Sequence, residues 1–352
     1  MRHLKFALKT LLSIALSAVF VWLSLRHTDL RAVGASIAAA DPLRVLAYVG
    51  LMLVVHLVRT VRWGILLEPL GHVGFKRLNS ASAVGFMLLM LLPLRLGEFA
   101  RPLLIARPPE GRGPTLRRSG AMASVVVERI VDGIFIGLLG VISLRTLGDS
   151  ATGRYVGFAR KASVLVALGF FGLCVALVLA FFLRERAVSL VRAALTPFSP
   201  RLAARASSMV EGFISALHLG SGWKVLAFFL LTALYWTLNA AGLGVLAPAF
   251  GFTALAPLML ATILTTQVVG VMVPAGPGMV GTMQLATQIG LSLFVADGFS
   301  AHGAGYANTI WMLQFGIQVA LGTVFLLIGH VSLKGVLGDA PSDDGATASA
   351  VP

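Results

Sequence analysis

Pro93-Leu94-Arg95-Leu96-Gly97-Glu98-Phe99-Ala100-Arg101 breaks a chain that is otherwise mostly membrane, directly after the apolar run 81–92. A backbone that breaks at bilayer depth is tolerated only where protein or a water-filled cavity satisfies the freed groups. Charges at that depth cost roughly 2.5–3.5 kcal/mol each on insertion scales. The stretch therefore marks a polar site inside the membrane. It implies an all-α, polytopic membrane protein with at least one broken element.

The composition agrees. The 352 residues are 57% hydrophobic and only 12% charged, with a mean hydropathy of +0.90, whereas a soluble domain carries roughly 25% charged residues. A net charge of +14 would suggest nucleic acid in a soluble chain. Here the basic residues sit in short loops between apolar runs, where membrane orientation and anionic headgroups explain them, so no nucleic-acid partner is expected. The single cysteine, Cys174, lies in the apolar run 162–183 and can form no intrachain disulfide. The basic start and apolar run to Leu25 resemble a signal peptide but lack a clean cleavage site, and are read as a retained first helix.

Runs near the ~20 residues that span the hydrocarbon core occur at 6–25, 43–67, 119–144, 162–183, 224–247, 252–273, 278–296 and 306–329. The 81–106 stretch is best read as a re-entrant hairpin, because its arms on either side of Pro93 are too short to span. The expectation is about six to eight transmembrane helices with one or two re-entrant or broken hairpins. With both termini in the cytoplasm, about 20 of the 28 Lys and Arg fall inside and about 7 outside. The 145–161 loop, with Arg145, Arg154, Arg160 and Lys161, dissents. Residues 201–219 have apolar positions at helical spacing, and read either as an amphipathic helix on the cytoplasmic surface or as one packed on its own loops. Residues 331–352 read as a disordered cytoplasmic tail.

A second interruption, 273–284, divides the apolar segment 252–296 and is rich in Pro and Gly. In both interruptions a proline is followed four residues later by a glycine, Pro93/Gly97 and Pro277/Gly281. Interrupted segments in two halves, entering from opposite faces, are what an inverted-repeat transporter would show near its binding site. Chance and ordinary loop chemistry stand beside that reading. A third feature is Glu128-Arg129 with Asp132 inside 119–144. Glu128 and Asp132 share a helix face, and Arg129 neighbours Asp132. Two compatible readings are an internal staple, with Arg129 paired to these carboxylates or to Glu98, and the lining of a headgroup path.

Arg59-x-x-Arg62-Trp63, Pro93-x-Arg95-x-Gly97-Glu98-x-x-Arg101, Glu128-Arg129-x-x-Asp132 and the Pro-Gly-rich turn 274–281 occur in the order and spacing of one family. The chain resembles the flippase-like transmembrane domain of lysylphosphatidylglycerol synthases and their stand-alone relatives, from about residue 5 to 330. The resemblance implies a bacterial cytoplasmic-membrane protein that moves a polar-headgroup phospholipid, anionic or aminoacylated, between leaflets. A separate enzyme would make the lipid, because only a short tail follows residue 330 and the synthase chemistry is not carried over. Arg95, Arg101 and Arg129 would offer donors to the lipid phosphate. Glu98, Glu128 and Asp132 would hold those arginines or meet a cationic headgroup, and Gly97, Gly278 and Gly281, beside Pro277, would allow close approach. Where relatives commonly place Glu seven residues after the second-turn proline, this chain has Gln284, which removes a charge.

Other chemistry finds little support. No Gly-x4-Gly-Lys-[Ser/Thr] loop is present, the seven histidines lack metal spacing, and no nucleophile-base pair accompanies the carboxylates, so no cofactor, metal or enzymatic activity is expected. Trp22, Trp63, Trp223 and Trp311 fall near span ends, as an aromatic belt would. Asn239, Gln267, Asn308, Gln314 and Gln318 read as interhelical hydrogen-bonding residues. Two rival classes stay open: a non-transporting scaffold for an envelope lipid- or glycan-modifying enzyme, and a lipid-modifying enzyme.

Overall fold

The computed structural model describes residues 29–106, 116–148, 155–182, 222–273 and 276–328, with Leu11, Ala15, 18–24 and scattered positions between 189 and 207. Every regular element among them is helical. The expected amphipathic segment 201–219, apart from a few isolated positions, and the tail 331–352 lie outside the described residues.

After the short helix α1 (Leu30–Ala38) come α2 (Pro42–Leu67), α3 (Phe75–Leu91), α4 (Ala100–Ala106), α5 (Arg118–Leu147) and α6 (Val156–Phe182), then α7 (Gly222–Leu246), α8 (Pro257–Val271), α9 (Thr282–Leu291) and α10 (Ala301–Ile328). The Asp41 carboxylate accepts from the Leu43 amide at 2.9 Å and Pro42 supplies the first helical residue, so α2 starts where side-chain capping dictates. α3 ends because Leu92, preceding Pro93, is forced into extended backbone.

Segments 42–70, 156–175, 222–250 and 301–328 are long and apolar enough to cross a bilayer. α5, with 30 residues, has the length but carries three charges in its middle. α8 and α9 have 15 and 10 residues, at 1.5 Å each about 22 and 15 Å. Both fall short of the ~20 residues of a spanning helix, and the two pack against each other as the arms of a broken hairpin. Pro277 starts a one-turn 3₁₀ segment, and Gly278 and Gly281 take left-handed backbone between the arms. The chain is a multi-pass helical membrane protein.

The two halves follow one plan: a long helix, a hairpin of two short helices, and a long helix. The 184 residues that separate Pro93 from Pro277 carry α2 onto α7, α3–α4 onto α8–α9, and α5 onto α10. Packing follows the same exchange. α2 lies against its counterpart α7, α3 against α10, and α8 against α5. α2 and α7 run antiparallel, with Lys224 paired to Glu68 at 2.7 Å at one end and Arg44 donating to the Val245 carbonyl at 3.4 Å at the other. Each hairpin leaves from the end of its own long helix, so the two enter from opposite ends.

Their tips meet in the middle. Arg95 Nη1 donates to the Val271 carbonyl at 2.6 Å, and Phe86, Leu89 and Met279 form one buried cluster. In each tip the second residue after the proline is a non-glycine in left-handed backbone, Arg95 at φ 58° and Met279 at φ 53°. Such residues persist only where the surroundings over-determine them. The glycines matched by spacing differ in role. Gly281, at φ 86°, supplies a turn, whereas Gly97 brings the 93–99 turn against the backbone of α3.

A Cβ on Gly97 would lie 2.1 Å from the Leu89 nitrogen and 2.2 Å from the Leu88 carbonyl carbon. Overpacking typically costs about 1–3 kcal/mol, and a backbone neighbour cannot yield as a side chain can. Gly97→Ala should therefore lower the thermal unfolding midpoint in detergent by several degrees. An unchanged midpoint would show that the first hairpin does not close this tightly.

Candidate functional site

The charged residues of α2, the first hairpin and α5 gather beside the first hairpin. Arg62, fully buried at 0% exposure, reaches from α2 to both carboxylates of α5. Its Nη1 donates to Asp132 Oδ1 at 2.5 Å, and its Nη2 to Asp132 Oδ2 at 3.0 Å and Glu128 Oε1 at 2.8 Å. Arg101 Nη2 donates to the other Glu128 oxygen. Trp236 Nε1 donates to Asp132 Oδ1 at 3.2 Å, and Arg62 Nη1 also reaches Thr232 at 3.3 Å, so α7 joins the network. Tyr235 lies beneath the Arg62 guanidinium, 4.8 Å from its ring centre. Four helices are tied by one interlocked set of charge-assisted bonds, the form in which buried charge is tolerated.

The expected ion pairs of Arg129 with Glu128 and Asp132 are present, but Arg62 and Arg101 hold the same carboxylates more closely. Arg129 is the outlier of the set: its contacts to Asp132 and Glu128 are 3.6 and 3.9 Å, and its side chain is 35% exposed. Glu98 pairs with Arg95 within its own turn. The helix periodicity of α5 put Arg129 beside its own carboxylates, but an arginine from another helix approaches them head-on, which no local spacing reveals. Arg101 is likewise held by Glu128 at 4% side-chain exposure, with its guanidinium 4.4 Å from the Trp63 ring centre.

Arg59 has neutral hydrogen-bond partners. It donates to Gln318 of α10 at 2.6 Å and contacts His56 Nδ1 at 3.0 Å, while the other ring nitrogen of His56 meets Asn79 at 2.9 Å. The Arg59 guanidinium carbon sits 3.3 Å from the Phe86 ring centre, and that of Arg101 lies 5.1 Å from the same ring. Phe86 also lines a cleft, together with Gly85, Gly97, Glu98, Arg101 and Arg129 among others. Its volume is ≈ 20 Å³, room for about one water. A larger, apolar cavity of ≈ 220 Å³ lies beside the second hairpin, lined by Phe20, Phe158, Thr265, Val269 and Ala286 among others.

Pro277, Gly278, Gly281 and Gln284 lie at the second tip and the start of α9 and belong to no ion pair. Gln284 is buried and its Oε1 accepts from the Gly281 amide at 2.8 Å, so it caps α9. Trp311 donates to the Gly278 carbonyl at 2.8 Å. Trp63 is wholly buried on Ser124 rather than in an aromatic belt, while Trp22 and Trp223 are exposed. Gln267, Gln314 and Gln318 bond across helices, but Asn239 and Asn308 cap carbonyls of their own helices. Sequence reasoning passed over His56, Asn79 and Phe86, because nothing local distinguishes a buried polar or aromatic residue that serves a distant arginine.

A family model described as lysylphosphatidylglycerol synthase TM region matches residues 10–325, and the chain belongs to that family. No curated protein and no solved structure matches the chain.

The network and its outlier predict opposite outcomes. Arg62→Leu leaves Asp132 without its fork and Glu128 with Arg101 as its close partner, and removing one member of a buried pair costs about 3–5 kcal/mol. Little monodisperse protein should survive extraction. Arg129→Gln removes only long, half-exposed contacts worth under about 1 kcal/mol and should leave the unfolding midpoint nearly unchanged. Equal damage from both would give Arg129 a structural role.

Proposed function

We propose that this member of the lysylphosphatidylglycerol synthase transmembrane family is a lipid translocase that carries a polar headgroup past the first hairpin while the acyl chains stay in the bilayer. The observation that carries the reading is the half-exposed Arg129, which makes no hydrogen bond to the described residues and lines a cleft next to an interlocked buried network. A charge inside a membrane helix is costly and marks a functional site by default. The network absorbs the charges that hold the helices, and Arg129 is left over. Its planar fork suits a phosphate.

The two tips meet from opposite ends, which gives the geometry of an alternating gate. With Arg95 bonded to Val271 and Phe86, Leu89 and Met279 packed together, the way between the hairpins is shut. A headgroup passes when the tips part, and the reciprocal packing of the two halves supplies two equivalent ways to rock. The apolar cavity beside the second hairpin offers space to a lipid tail. The membrane is the bacterial cytoplasmic membrane, with both termini inside, on the balance of basic residues in the loops. Transport without catalysis is favoured, since Glu98, Glu128 and Asp132 are each paired to a guanidinium and so committed as charge partners.

The test is leaflet exchange of headgroup-labelled phospholipids in liposomes reconstituted with purified protein. Wild type should exchange at least one phospholipid, and Arg129→Ala, extracted and folded normally, should slow exchange about tenfold or more, the worth of one charge-assisted hydrogen bond. No exchange of any phospholipid would remove the translocase reading and favour a scaffold.

A further inference from the structure

The charges around the first hairpin do not balance, and the sign of the imbalance bears on the headgroup. Among the described residues, the guanidinium groups of Arg59, Arg62, Arg95, Arg101 and Arg129 face only the carboxylates of Glu98, Glu128 and Asp132. Each carboxylate is already ion-paired. Arg59 has only neutral hydrogen-bond partners and the Phe86 ring, and the Arg129 contacts exceed hydrogen-bond length. Two positive charges are therefore left over in a region of low dielectric, where an uncompensated ion is costly.

A second observation points to where the missing anion sits. Among the described residues Arg101 Nη1, like Arg59 Nε and Arg62 Nε, is buried with no hydrogen-bond partner, and of these three arginines only Arg101, at 4% side-chain exposure, lines the cleft. A buried guanidinium N–H left unmade calls for an explanation. The space of ≈ 20 Å³ there admits about one water-sized atom, which is one phosphate oxygen. Arg129 lies on the same cleft with its donors half-exposed.

We infer that the cleft between Arg101 and Arg129 takes a phosphate oxygen of an anionic membrane lipid, and that its surplus charge selects against an aminoacylated, net-cationic headgroup. The inference rests on the translocase reading for the presence of a lipid at this depth, but it concerns binding and can be tested without movement. An aminoacyl ester would bring its ammonium group toward excess positive charge. Among the described residues around the cleft no carboxylate is unpaired: Glu98, the most open, holds Arg95 through its Oε1. A phosphate instead receives the fork of Arg129 and the unused N–H of Arg101.

The experiment is native mass spectrometry of the purified full-length protein in detergent, with phosphatidylglycerol, lysylphosphatidylglycerol, phosphatidylcholine or inorganic phosphate added. Phosphatidylglycerol should bind about tenfold or more tightly than its lysyl ester, and Arg129→Gln should erase most of that difference. The wild-type comparison needs no variant, so it stands even if Arg129→Gln misfolds. Equal or tighter binding of the lysyl ester would overturn the inference. Inorganic phosphate occupying the protein as readily as the lipid would also overturn it, by assigning the cleft to a soluble anion. A preference for the anionic lipid together with no leaflet exchange would keep the binding site and remove the translocase.

Discussion

The fork of Arg62 on Glu128 and Asp132 is the constraint on which the other helices depend. Glu128, Asp132 and Arg101 sit in or beside membrane helices, and none could be buried alone. Arg62 lets α2 and α5 approach, Asp132 draws in Trp236 of α7, and Glu128 fixes Arg101 and with it the return arm of the first hairpin. Once that arm is held, the 93–99 turn can close onto α3 only because Gly97 has no side chain. The tip then lies where Arg95 reaches Val271. The chain of dependence runs from a buried ion pair to the meeting point of the hairpins.

The two halves share a framework but not a chemistry. The offset that superposes the prolines sets Arg59, Arg62, Glu128, Arg129 and Asp132 opposite Leu243, Leu246, Met312, Leu313 and Gly316, and Arg101 opposite Leu285. The second hairpin accordingly packs through apolar contacts and short polar bonds such as Gln267 to Thr287 at 3.0 Å, and the cavity beside it is apolar. A duplicated scaffold with charge on one side only suits a ligand with a charged end and an apolar end.

The sequence showed the breaks and hid the partners. Pro93, the charges around it and the Pro-Gly run near 277 are local signals, and both hairpins follow from them. Gly137 of α5 meets the backbone of α6 at Ala167, whose Cα lies 2.6 Å from where a Cβ would stand. What spacing could not supply was which arginine reaches which carboxylate. Arg62 and Asp132 are 70 positions apart, and the local alternative, Arg129, was at hand and is the one left loose. Gln284 read as a lost charge because its neighbours in space were unknown, while in the fold it caps α9. The ten-residue α9 also escaped an apolarity scan, which measures how long a run is and not where the helix stops.

If lipid passes where the hairpin tips meet, a reversible cross-link between them stops it. With Cys174, the sole cysteine, changed to Ala, Leu89→Cys and Met279→Cys place a thiol on each tip within the shared cluster, and leaflet exchange is measured with the pair oxidised and then reduced. The disulfide-linked protein should stop exchanging lipid, and reduction should restore exchange. Undiminished exchange with the tips verifiably locked would contradict it and send the path elsewhere on the protein.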